Sequence, residues 1–160
     1  MELSDRNFII LHQRNSHAPY ASNYTHRPEF NVFPTENQPR EVYQVNSYDN
    51  SMLYSDWFYS EIIRHFKGMS DKWKSCIFIT SDHGEMFGEN GLWGHNHLDI
   101  ENFRVPFIYY GVGMESEFNE KVKKYGIVTH YDLGNIIAGL FGIEIFNPDQ
   151  EKGLYYAYIS

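Results

Sequence analysis

The chain has 160 residues, one domain's worth of sequence, which allows a sizeable core and excludes a multidomain assembly within it. Thirteen basic side chains against twenty-one acidic ones give a net charge of −8, the wrong sign for gripping a nucleic-acid backbone by charge. The 42% hydrophobic and 18% aromatic content is that of a globular domain, neither disordered nor low in complexity. No stretch reaches the ~18 apolar residues of a bilayer span; the longest apolar segments, 105–114 and 133–143, are core-sized. The N-terminus carries Glu2 and Asp5 where an export signal has a basic and then an apolar region, so no signal is expected. A single cysteine, Cys76, excludes an internal disulfide and a cysteine-rich zinc site. Eight histidines are the unusual number, because imidazole is the commonest metal ligand.

Residues 7–12 (Asn-Phe-Ile-Ile-Leu-His) form a β-branched and aromatic run that predicts a buried strand delivering the loop with His17. Residues 21–45 carry Pro28, Pro34 and Pro39 without a sustained period and read as a long irregular excursion, too aromatic to be a flexible linker. Over 47–66 a helical period places Met52, Phe58, Tyr59, Ile62, Ile63 and Phe66 on one face, with Gly68 as a stop. Residues 76–80 predict a second buried strand, which runs directly into Ser81-Asp82-His83-Gly84-Glu85. A glycine-rich loop (Gly88, Gly91, Gly94) follows, then a third strand over 105–110 entered through Pro106. Thr129 and Asp132 have capping-box spacing ahead of Leu133, Ile136, Ile137, Leu140 and Phe141 at helical intervals. Residues 154–159 read as a last, edge strand. This alternation predicts an α/β fold, a layered sheet with helices.

Asp82 and His83 at a strand end, with His95 and His97 in the loop beyond, offer carboxylate and imidazole donors of the kind that hold Zn²⁺. Asp-His-Gly also makes an ordinary turn in which Asp82 accepts backbone hydrogen bonds, and spacing alone leaves both readings open. His17 follows the first predicted strand; in a parallel sheet it would stand at the same edge as His83. His130, at a helix N-terminus, reads as structural and neutral.

The run Ile79-Thr80-Ser81-Asp82-His83-Gly84-Glu85, continuing through Phe87-Gly88-Glu89-Asn90-Gly91-Leu92 to His95, resembles the second metal motif of the alkaline phosphatase and sulfatase superfamily. It is most similar to that of the bacterial phosphoethanolamine transferases. Ser16-His17-Ala18-Pro19-Tyr20, the segment from Tyr48 to Asp56, Val105-Pro106-Phe107-Ile108 and Thr129-His130-Tyr131-Asp132-Leu133 agree with this family in order and spacing. The resemblance implies an alkaline phosphatase/sulfatase-like fold with helices on both faces of the sheet. It makes Asp82 and His83 zinc ligands and sets His17 and His95 against a phosphoryl group; His97 has no firm counterpart in the family and is a candidate by its place in the loop alone. It also implies transfer of phosphoethanolamine from phosphatidylethanolamine to lipid A or a lipooligosaccharide sugar, in a parent protein of the inner membrane whose catalytic domain faces the periplasm.

In that family a threonine nucleophile and a further acidic ligand precede the segment matching residues 8–17. Thr25, Thr35, Thr80 and Thr129 do not match the nucleophile's position. The chain is therefore expected to be the C-terminal portion, residues 1–160, of a larger catalytic domain, with an incomplete zinc site and no activity alone. Two rivals accompany this reading: a sulfatase or phosphodiesterase-type hydrolase of the same superfamily, and a stand-alone phosphate- or metal-binding module.

Overall fold

The computed structural model describes residues 5–113 and 128–145. The chain divides into two compact units, with the boundary between Ile62 and Ile63.

In the first unit, residues 7–12 are not the predicted strand. Among the described residues no ladder includes them, and Phe8 and Ile10 are 60% and 74% exposed. β-Branched composition favours an extended chain, but a strand exists only where a neighbour accepts and donates its backbone hydrogen bonds. Short 3-10 turns follow at Tyr20–Asn23 and Pro28–Phe30. Helix α1 then spans Arg40–Lys67, so it begins inside the stretch predicted to be irregular and crosses into the second unit. Pro39 is part of the reason: its carbonyl accepts from the Tyr43 N–H at 2.8 Å, and a proline at a helix start surrenders no donor.

The buried face of α1 also differs from the expected apolar one. Ser47, Asn50, Ser51 and Ser55 are buried, whereas Met52 is exposed and Phe58, Tyr59, Ile62, Ile63 and Phe66 are half-buried. At Asn50 this face meets the loop, mostly its backbone. The Asn50 Oδ1 accepts from the N–H groups of Val32 and Phe33 at 3.0 and 2.8 Å, and its Nδ2 donates to the Phe33 carbonyl at 2.9 Å and to Asn31 Oδ1 at 3.2 Å. The Ser51 and Ser55 hydroxyls turn back onto the helix, to the Tyr48 and Ser51 carbonyls, which satisfies them within α1. Phe30 packs against Tyr54 and Trp57 at 5.3 and 5.7 Å, and the Arg27 guanidinium sits 4.5 Å from the Trp57 ring centroid. The aromatic residues of the excursion thus hold it against α1.

The second unit contains β1 (Ser75–Thr80), the short pair β2 (Met86–Phe87) and β3 (Trp93–Gly94), α2 (Ile100–Phe103), β4 (Phe107–Val112) and α3 (His130–Leu140). β1 and β4 are antiparallel, paired from Ser75 with Val112 to Thr80 with Phe107. β4 starts two residues later than predicted, because Pro106 has no N–H for a ladder and stands just outside it. Residues two apart share a sheet face. Accordingly Cys76 and Phe78 of β1, with Phe107 and Tyr109 of β4, surround Ile136 of α3, joined by Val128 and Leu140. The capping box predicted for α3 is present in both directions: Thr129 Oγ1 accepts from the Asp132 N–H, and the Asp132 carboxylate accepts from the Thr129 N–H at 2.9 Å. The architecture is α/β, a helix-backed sheet that delivers its polar turn at the end of β1. The strand expected over 154–159 lies outside the described residues.

Candidate metal and phosphate site

The turn leaving β1 is held from three directions. The Ser81 hydroxyl donates to the His83 carbonyl at 2.9 Å, His130 Nε2 donates to the Ser81 carbonyl at 2.7 Å, and the Gly84 N–H donates to the Asn102 carbonyl at 2.8 Å. A Cβ at Gly84 would collide with the backbone carbonyl of Glu101 and lie 2.7 Å from that of Arg104, so α2 packs where only glycine leaves room. His130 is structural, as predicted, and what it braces is this turn.

Carbonyl oxygens only accept, so the ring nitrogen facing one carries a proton. His83 Nδ1 lies 2.8 Å from the Gly84 carbonyl; in the neutral ring Nε2 therefore keeps its lone pair. That Nε2 stands 3.9 Å from Asp82 Oδ1. Two ligands on a tetrahedral zinc, each about 2.0–2.2 Å from it, sit about 3.4 Å apart. The Asp82 side chain is 86% exposed, so a small rotation would close that difference. Partial burial raises the Asp82 carboxyl, but hydrogen bonds from the Asp82 and His83 N–H groups and the Ser81 hydroxyl, with the attraction of the His83 ring whenever that ring is protonated, outweigh it and hold the group below its ordinary range. An ionised carboxylate beside an imidazole lone pair, braced by a backbone carbonyl behind the ring, is a donor set that fits zinc. Both readings of Asp-His-Gly hold together: Asp82 Oδ1 also accepts from the His83 N–H at 3.1 Å, as an ordinary turn would have it.

His95 reaches the same place from β3. Its ring lies 4.2 Å from that of His83, with the planes 30° apart, and its Nδ1 is 3.1 Å from Glu85 Oε2. One ligand atom from each of His83, Glu85 and His95 falls within 4.8 Å of the others. Glu85 stands in the run that the sequence marks, Asp82 to Glu85, but the sequence assigns it no role. Its signal is a register: Met86 pairs with Gly94, so the residues flanking that pair, Glu85 and His95, face one another. His97 is turned to the hairpin, its Nε2 3.2 Å from the Trp93 carbonyl. His17 belongs to the first unit, in a loop where its Nδ1 meets the Ala18 carbonyl at 2.6 Å and its carbonyl accepts from Asn23 Nδ2 at 2.7 Å.

The sulfatase family model matches residues 1–143. The chain belongs to the sulfatase family. Within it, the chain is 35% identical over 153 residues to the phosphoethanolamine transferase EptA of Escherichia coli K12, covering 84% of this chain and 27% of that protein. It is 33% identical to the Kdo(2)-lipid A phosphoethanolamine 7''-transferase of Salmonella typhimurium over 66% of this chain and 19% of that one. The C-terminal periplasmic domain of the phosphoethanolamine transferase EptC from Campylobacter jejuni superposes with a TM-score of 0.73 at 32% identity, covering 88% of this chain and 48% of that chain. The chain thus spans about a quarter of the length of EptA and about half of the solved domain. The sulfatase family is metal-dependent, and this member carries the resemblance of the phosphoethanolamine transferases in both sequence and fold.

Proposed function

We propose that this chain is the C-terminal portion of a zinc-dependent phosphoethanolamine transferase that moves phosphoethanolamine from phosphatidylethanolamine to lipid A or a lipooligosaccharide sugar. The observation that carries this reading is the braced turn after β1, where Asp82 Oδ1 and His83 Nε2 stand 3.9 Å apart with His95 stacked beside them. Identity to several transferases of this kind supports transfer over hydrolysis. By the same likeness the parent protein works at the inner membrane, with this domain on the periplasmic side.

Asp82 and His83 hold the zinc. When bound, zinc supplies charge that favours an alkoxide nucleophile and offsets the negative charge of the transferring phosphoryl group. His17 and His95 supply N–H donors for the phosphoryl oxygens, the kind of stabilisation that grows as charge develops there; the assignment of His17 rests on its segment, Ser16 to Tyr20, alone. The nucleophile is a threonine upstream of Phe8 in the parent protein. Asp82 and His83 are two ligands where a catalytic zinc takes three from protein, so the 160-residue chain by itself neither holds zinc tightly nor turns over.

The test is zinc content and headgroup release from phosphatidylethanolamine, in the parent protein and in the isolated chain. Asp82→Ala and His83→Ala in the parent should lose zinc and lower turnover on the order of 100-fold or more. Full turnover in Asp82→Ala would overturn the site, and turnover with stoichiometric zinc in the isolated chain would overturn its incompleteness.

A further inference from the structure

Glu85 has no role in the scheme above, yet its carboxylate is the most enclosed group at the site: 9% exposed, against 86% for Asp82 and 35% for His83. Burying a carboxylate is costly unless its oxygens are engaged. The structure engages one of them with a ring. Oε2 lies 3.1 Å from His95 Nδ1, and Gly94, at φ +83°, carries the chain past Oε1, where an added Cβ would stand at 3.5 Å. The pairing of Met86 with Gly94 and of Phe87 with Trp93 fixes the register that sets Glu85 opposite His95. On the other side the His83 ring, itself tied through Nδ1 to the Gly84 carbonyl, lies 4.2 Å from His95. One imidazole edge is thus held by a carboxylate and one face by a fixed ring.

We propose that Glu85 is a positioning residue for His95: it accepts the Nδ1–H hydrogen bond, fixes the ring's plane and tautomer, and presents Nε2 to the bound phosphoryl group. The purpose of this arrangement rests on the phosphate role given to His95 above; the arrangement itself does not. Outer partners of this kind orient a working imidazole by holding its second nitrogen. The same three side chains suggest a rival, in which Glu85 is itself a ligand to a cation shared with His83 and His95. The geometry favours the positioning role, because Oε2 is already spent on Nδ1 and the lone pair of His83 faces Asp82.

The test is long-range ¹H–¹⁵N spectroscopy of the histidine rings at pH 8 in the full, metal-free chain, for the wild type, Glu85→Gln and Glu85→Ala. The wild type should show His95 protonated at Nδ1. Glu85→Gln, which keeps an acceptor oxygen, should retain that tautomer, and Glu85→Ala should lose it. Titration with inorganic phosphate should shift His95 Nε2 in the wild type and in Glu85→Gln, with binding about 10-fold weaker in Glu85→Ala. A wild-type His95 protonated at Nε2, or a tautomer unchanged in Glu85→Ala, overturns the proposal. So does loss of zinc from Glu85→Ala of the parent protein to the extent seen in Asp82→Ala, which would make Glu85 a ligand. If the tautomers behave as expected while phosphate moves no histidine resonance, the positioning role stands and the phosphate role of His95 fails.

Discussion

All four hydrogen-bonding positions of the Asn50 amide are used on the segment 31–33, and the residue is fully buried. Asn50→Ala strips the partner from two backbone N–H groups at once, and unpaired buried donors cost more than the hydrogen bonds themselves return. Urea denaturation should show a loss of about 2–4 kcal/mol with an unchanged slope; a loss under about 0.5 kcal/mol would contradict the clamp. Asn50→Asp keeps the acceptor oxygen but turns a second oxygen onto the Phe33 carbonyl, so it should not rescue. Cys76 is the other residue whose surroundings set its chemistry. Burial against the sheet and α3 pushes its thiol from 9.0 up to about 12. A thiol so raised holds about a thousandth of the thiolate of an unperturbed one at pH 8. Alkylation of the folded protein by iodoacetamide should therefore be slow and should accelerate on unfolding. Because the folded value is the higher one, the stability linked to this thiol is fully present below pH 9 and is lost as pH rises from there toward 12. Fast alkylation at pH 8 would show the thiol to be open to solvent.

Elements differ in how far their sequences betray them, and the difference follows the range of the interactions that decide each one. α3 was legible because its signals are local: Thr129 and Asp132 three residues apart, then Ile136 on the side that the sheet covers. Thr129→Ala should cost about 1 kcal/mol through the lost cap, and Ile136→Ala about 2–5 kcal/mol through the cavity left among Phe78, Phe107 and Tyr109. Thermal unfolding checks both, and equal costs would mean that the cap, not the packing, holds α3. The residues at the end of β1 were legible too, since Asp82, His83 and Gly84 are consecutive. Glu85 was not, because its importance comes from a pairing across the hairpin to His95, ten positions on. The strand expected over 7–12 failed for a similar reason: strand composition is local, and the partner that would make it a strand is not. On α1 the hydrophobic period misled, because the face that is buried carries Ser47, Asn50, Ser51 and Ser55, with the Asn50 amide spent on the segment 31–33, a partner that no local pattern announces.

At the scale of the whole molecule, a chain with about a quarter of the length of EptA carries a braced turn that sets Asp82 beside His83, with the His83 ring against that of His95. The family, the fold and the turn at Asp82 were accessible from sequence because consecutive motif residues mark them. No threonine in the chain matches the position that the family resemblance gives the nucleophile, so that part of the proposal has no residue here to read. The central claim is that Asp82 and His83 hold the metal of a phosphoethanolamine transferase. Mass spectrometry of lipid A from cells expressing the parent protein tests it most directly. The wild type should add phosphoethanolamine to lipid A, and Asp82→Ala and His83→Ala, expressed at equal levels, should leave it unmodified. Lipid A modified equally by all three proteins, or by none, would contradict the claim.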